Sequence, residues 1–121
     1  MKNYALQDAS LNYSKFLGTN LIRIKITNSS FIGSDLNQAL IKEVVFEDAN
    51  CSKSNFSRLV TQRSSFRNCK FIGADMSESK SRISSFLSSD FRYANLFGAD
   101  LQTANLSNSN LSSSNLHSCI L

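Results

Sequence analysis

The C-terminal third of the chain advances in steps of five. From Phe86 to Leu116 it reads FLSSD, FRYAN, LFGAD, LQTAN, LSNSN, LSSSN and L, and every step opens on Phe or Leu. Two residues before each opening stands Ser or Ala, and from Phe91 onward Asp or Asn lies between. Side chains repeat every 3.6 residues along a helix and every 2 along a strand, so neither accounts for a period of five. The unit is a short bend used repeatedly.

Carried back to the N-terminus, the same frame places Leu6, Leu11, Phe16, Leu21, Ile26, Phe31 and their successors at the central positions, ending at Leu121. Only Thr61 and Ser81 among them are polar. Two residues earlier the chain holds Ala, Ser, Thr or Cys, except at Tyr4, Ile24, Val44 and Leu59. The register is unbroken, so residues 1–121 read as a single domain without a linker. A period this short marks a solenoid. Heavy use of Ser and Asn resembles disorder in composition, but the strict apolar spacing argues for order.

The pattern Ala94-Asn95-Leu96, Ala99-Asp100-Leu101, Ala104-Asn105-Leu106 resembles the pentapeptide-repeat family. That resemblance implies an all-β fold, a right-handed quadrilateral parallel β-helix in which four pentapeptides make one coil. It implies about six 20-residue coils for this chain. The usual hand of parallel crossovers agrees.

Charge gives a separate test of the coil length. Residues 20 apart then stack at about 4.8 Å, where opposite charges attract and like charges repel. The charged pairs at this offset are Lys15 with Asp35, Arg23 with Glu43, Glu43 with Arg63, Glu47 with Arg67, Arg58 with Glu78, Lys70 with Asp90 and Lys80 with Asp100. All are opposite in sign. The same offset stacks Phe46, Phe66 and Phe86 in one column and makes Thr61 and Ser81 neighbours in another, where their hydroxyls are expected to bond each other or a water. Tyr4, Ile24 and Val44 share a column, so the lumen of the N-terminal half is expected to differ in shape. Small residues before the centre leave room for Phe and Leu. Asp and Asn suit turns, and Gly18, Gly33, Gly73 and Gly98 all fall two residues after the centre, where a corner requires positive φ.

The sequence offers no catalytic constellation, so no enzyme is expected. His117 lies outward among serines and lacks an oriented partner and a pocket. Cys51, Cys69 and Cys119 fall on inward positions and read as small core residues. Three cysteines at no ligand spacing indicate neither a metal site nor a disulfide framework, and no cofactor is expected. The glycines do not cluster before a helix as a phosphate loop requires. Buried thiols, the absence of a long apolar run and the lack of a leader-like start lead to the expectation of a cytoplasmic protein without a membrane or small-molecule partner.

Candidate partner surfaces are therefore chosen on charge and exposed apolar residues. Between Cys51 and Ala74 lie Lys53, Arg58, Arg63, Arg67 and Lys70 and no acid, within a chain of net charge +4. Four of these have an acid 20 residues away, and outward aromatic residues are few, so direct nucleic-acid binding is not expected. Tyr93 and Phe97 are outward apolar candidates, and Asp35 and Asp75 form the only acidic column, interrupted by Asn55. The function expected is a non-catalytic binding or scaffold protein acting through protein contacts, with a homodimer through the terminal coils. The resemblance implies an alternative, protection of DNA gyrase or a related topoisomerase by a rod that imitates DNA. The positive net charge departs from that pattern, since a duplex is a dense array of negative charge.

Overall fold

The structure is a computed structural model that describes residues 4–121. Its strands are β1 (Tyr4–Gln7), β2 (Asn20–Ile22), β3 (Ile24–Thr27), β4 (Leu40–Lys42), β5 (Val45–Glu47), β6 (Val60–Gln62) and β7 (Ser65–Arg67). All pairings are parallel and join residues 20 apart. β1, β3, β5 and β7 form one sheet, and β2, β4 and β6 another. Strand-built turns number about three. Beyond Arg67 the solenoid climbs through single parallel bridges at the same offset, as far as Asp100 with Ile120. The expected 20-residue register continues throughout, but the expected count of six coils is not met by regular strand, which is confined to the N-terminal half.

Each coil has four sides, named here by their central columns. The first side carries Leu6, Ile26, Phe46, Phe66, Phe86 and Leu106. The second begins at Leu11, the third at Phe16 and the fourth at Leu21. β1, β3, β5 and β7 lie on the first side, and β2, β4 and β6 on the fourth.

A backbone ladder fixes the rise. Phe31 N donates to Asn50 O at 2.8 Å, Cys51 N to Lys70 O at 2.7 Å and Phe71 N to Asp90 O at 2.7 Å. Bonds in the opposite direction, such as Asn50 N to Ser29 O at 3.0 Å, alternate with them. Every fifth residue from Asp8 to Ser118 has positive φ, between 47° and 66°, and nineteen of these corners are not glycine. Where the amide three residues on closes back to the central carbonyl, as from Thr19 to Phe16 at 3.0 Å, the corner has the form of a type II turn. The glycine corners adopt the expected φ of 65–66°. Asp and Asn before the centre act as turn residues. Asp35 Oδ1 accepts from Asn37 N at 3.0 Å, and Asn95 Oδ1 accepts from Phe97 N at 3.1 Å.

The lumen is filled by stacked rings. Phe46 and Phe66 lie with centroids 4.8 Å apart, Phe66 and Phe86 5.0 Å, and Phe71 and Phe91 4.9 Å, all nearly parallel. Between columns the rings meet edge to face, as Phe66 meets Phe71 at 5.6 Å. Such pairs add about 0.5–1.5 kcal/mol beyond their buried area.

The small residues before the centre have a role beyond leaving room. Ser54 Oγ donates to Phe31 O at 2.6 Å, Ser64 Oγ to Ile41 O at 3.1 Å and Ser89 Oγ to Phe66 O at 2.9 Å. Ser64 and Ser89 also accept, at 3.2 Å, from Val44 N and Cys69 N in the coil before. At Ser64 and Ser89 the hydroxyl thus satisfies corner groups that the turn leaves unbonded, whereas Phe31 O also accepts from Ser34 N at 3.1 Å. The expected bond between Thr61 and Ser81 is not made. Thr61 Oγ1 pairs with Ser84 Oγ instead, and the buried Ser79 and Ser81 hydroxyls have no protein partner. In the bulky column Val44 is fully buried and Ile24 half-buried, while Tyr4 in the first coil is exposed.

Phe66 touches rings above, below and beside it. Phe66→Ala is expected to lower unfolding free energy by about 3–5 kcal/mol in urea titration. Ile83 is a β-branched residue held at φ 56° and three-quarters exposed. Ile83→Gly should raise stability by about 1 kcal/mol, because the left-handed corner suits glycine. A loss of stability would show that Ile83 makes core contacts absent here.

Candidate interaction surface

The ladder sets the outward side chains in rows, and the ion pairs show how those rows are used. Of the pairs expected at one-coil offset, three close: Arg23 with Glu43 at 2.9 Å, Arg63 with Glu43 at 3.5 Å and Arg58 with Glu78 at 3.2 Å. The other four are in backbone register but do not form close pairs. Asp90 is taken by Arg92 at 2.8 Å and Asp100 by Arg82 at 2.7 Å. A guanidinium two residues along the same bend reaches Asp90 bidentately, and its bonds hold that carboxyl below the usual carboxylate range.

The basic coil does not make one patch. Lys53 and Lys70 lie on the second side, Arg58 on the third, Arg63 on the fourth and Arg67 on the first. Tyr93 joins Lys53 on a second-side corner row, with its ring mostly exposed. Phe97 lies on the third side, where its ring stacks on His117 at 5.6 Å. Asp35 and Asp75 share the third side with them, each bridged to Asn55. Asn95 and Asn115 continue that row by amide bonds, Asn115 Nδ2 donating to Asn95 Oδ1 at 3.1 Å. Amides separate the carboxylates, so the row is polar rather than continuously acidic.

Sorting charge by side reveals what reading along the chain did not. The outward positions of the fourth side hold Arg23, Lys42, Arg63, Lys80 and Arg82 against Glu43 and Asp100. The first and third sides each hold one more acid than cation among the described residues. The second side holds Lys53, Lys70 and Arg92 against Asp90, so the excess of positive charge is divided between the fourth and second sides and is larger on the fourth. That asymmetry was present in the sequence and needed only the columns to be read separately.

The thiols are inward as expected. Cys51 and Cys69 are buried, Cys119 is half-buried, and all three are free. Cys69 Sγ donates weakly to Phe46 O at 3.5 Å, the bond that serines make elsewhere. Burial pushes the Cys69 thiol up from 9.0 to about 12, and burial raises Cys51 well above the ordinary value. Below about pH 9 both states keep the Cys69 thiol neutral and its contribution is complete. Above it the unfolded thiol ionises first, so stability should fall between about pH 9 and pH 12. Cys69→Ser should change stability at pH 7 by only about 1 kcal/mol and make the alkaline decline shallower. Denaturant titration across that range measures both.

Among the described residues no group of His, Cys, Asp and Glu is placed to hold a metal ion. No described helix is long and apolar enough to cross a membrane.

Comparison with known proteins follows the same geometry. The full-length fluoroquinolone resistance protein QnrB1, described as plasmid-mediated, superposes with a TM-score of 0.63 at 15% identity, covering 95% of this chain and 71% of that one. HetL, a pentapeptide repeat protein involved in heterocyst differentiation regulation in the cyanobacterium Nostoc, gives 0.46 at 21% identity over 97% and 56%. A pentapeptide repeat protein of the Arabidopsis thaliana thylakoid lumen gives 0.47 at 22% identity over 92% and 63%. No curated protein matches the sequence. Pentapeptide repeats match in eight copies over residues 6–42, 45–80 and 86–121. With that match over most of its length, and with the four-sided ladder described above, the chain belongs to the pentapeptide repeat family.

Proposed function

We propose that this is a non-catalytic binding or scaffold protein, working in the cytoplasm through protein contacts on the sides of its solenoid. One observation carries the reading. Outward side chains stand in rows pinned every coil by backbone bonds, while the thiols point into the lumen. A surface held this rigidly loses little freedom on binding, which favours recognition by shape and charge. Lys53, Lys70 and Tyr93 on the second side, and Arg58, Phe97, Asp35 and Asp75 on the third, are contact candidates, as are Arg63 and Arg67. A homodimer through the C-terminal coil belongs to the same reading. Light scattering should give twice the monomer mass.

Gyrase or topoisomerase protection is the second reading. It is favoured by the shared fold with QnrB1 and opposed by the net charge of +4.

Crosslinking capture in the source cells, repeated with sets of substitutions confined to one side at a time, tests the first reading. A discrete partner lost on altering one side, at unchanged melting temperature, is the expected result. Capture that is insensitive to every side would contradict it. A gyrase supercoiling assay with a fluoroquinolone, in which added protein restores activity, would favour the second reading.

A further inference from the structure

We propose that the fourth side is a docking surface for an acidic polypeptide segment carrying one bulky apolar side chain. The proposal rests on the protein-contact reading and names the chemistry of the partner. A cleft of about 450 Å³ opens on this side, with Val60 and Ile83 as its apolar lining and Arg63, Lys80 and Arg82 around it. The volume suits a Leu or Phe side chain with part of its backbone. Ile83 is the unusual element. It is three-quarters exposed, β-branched and held at φ 56°, a conformation such residues rarely adopt. Nothing in the core requires it.

Charge selects the occupant. Glu43 is already shared by Arg23 and Arg63, and Asp100 is engaged by Arg82. Arg63 reaches Glu43 only at 3.5 Å and is 79% exposed. Among the described residues no carboxylate lies within 4 Å of Lys42 or Lys80. The cations around the cleft therefore outnumber the acids that could satisfy them, and a partner bearing carboxylates supplies the missing charge. The wall behind the cleft carries the least apolar bulk in the lumen. Thr61 and Ser81 stand where Ile41 and Leu101 stand in the adjoining coils. A peptide fits better than a nucleic acid, because single strands need aromatic platforms and the cleft lining has none.

The test is fluorescence anisotropy with a labelled short peptide of Asp and Glu around a central Leu. Matched peptides carry Ala for Leu, or Lys for the acids, and phosphatidylserine vesicles and a DNA duplex are run beside them. The Leu peptide should bind roughly tenfold tighter than the Ala peptide, and binding should weaken with salt. Lys80→Gln and Arg63→Gln should each weaken it about threefold to tenfold. Ile83→Gly should weaken it at least about fivefold while leaving the fold intact, since glycine suits that corner. Tyr93→Ala and Phe97→Ala, on other sides, should leave it unchanged. Absence of a preference for the acidic Leu peptide, tighter binding to vesicles or duplex, or insensitivity to Ile83→Gly and Lys80→Gln would overturn the proposal. Sensitivity to Phe97→Ala instead would move the contact to another side and overturn this surface while leaving the broader reading standing. Failure of that broader reading has its own signature, the loss of side-dependent capture in cells.

Discussion

The whole structure depends on a backbone ladder that returns every 20 residues. Nineteen corner residues with a Cβ sit in the left-handed region, where each is disfavoured by roughly 1–2 kcal/mol, less for Asn and Asp. No isolated five-residue bend would hold such a conformation. The ladder does so because the corner amides are themselves rungs, as where Tyr13 N donates to Ile32 O at 2.8 Å and Lys53 N to Ile72 O at 2.9 Å. The order is cooperative along the axis. Each coil orients the next, and a coil without neighbours has little to keep its corners turned.

Packing follows from that rise. A ladder spacing of about 4.8 Å is close to the separation at which aromatic rings stack, so a column of Phe fits without strain. The interior therefore wants Phe and Leu at the centre and something small beside it. The small residue is often Ser because two backbone groups at certain corners lack partners and a hydroxyl can serve both. Thr61 and Ser81 break the apolar column, and the side they belong to is also where positive charge and exposed Ile83 accumulate. Function in such a molecule has to be written on the outside, because the inside is committed to stacking.

Much of this was legible in the sequence. The five-residue frame, the 20-residue return, the Phe46–Phe66–Phe86 column and the glycine corners follow from spacing, which geometry forces. Less legible was what depends on side-chain choice. Asp90 and Asp100 take nearby arginines rather than the lysines stacked on them, because a flexible side chain selects among several partners at a surface where each pair is worth only about 1 kcal/mol or less. The serine bonds were hidden because composition reports size before it reports hydrogen bonding. Positive φ at residues such as Ile83 and Tyr93 was hidden because local preference points the other way and the ladder overrides it. Lys53, Arg58, Arg63, Arg67 and Lys70 looked like a cluster because they adjoin in sequence, yet a coil distributes its residues around four sides.

The most direct measurement is through-space proton contact by NMR. Along any side, residue n should give cross-peaks to residues n+19 and n+20, from Ser10 with Ser30 up to Asp100 with Ile120, with no helical pattern between. A backbone ladder at any other offset, or its loss beyond Arg67, would contradict the four-sided coil and with it the grouping of surface residues on which the functional reading stands.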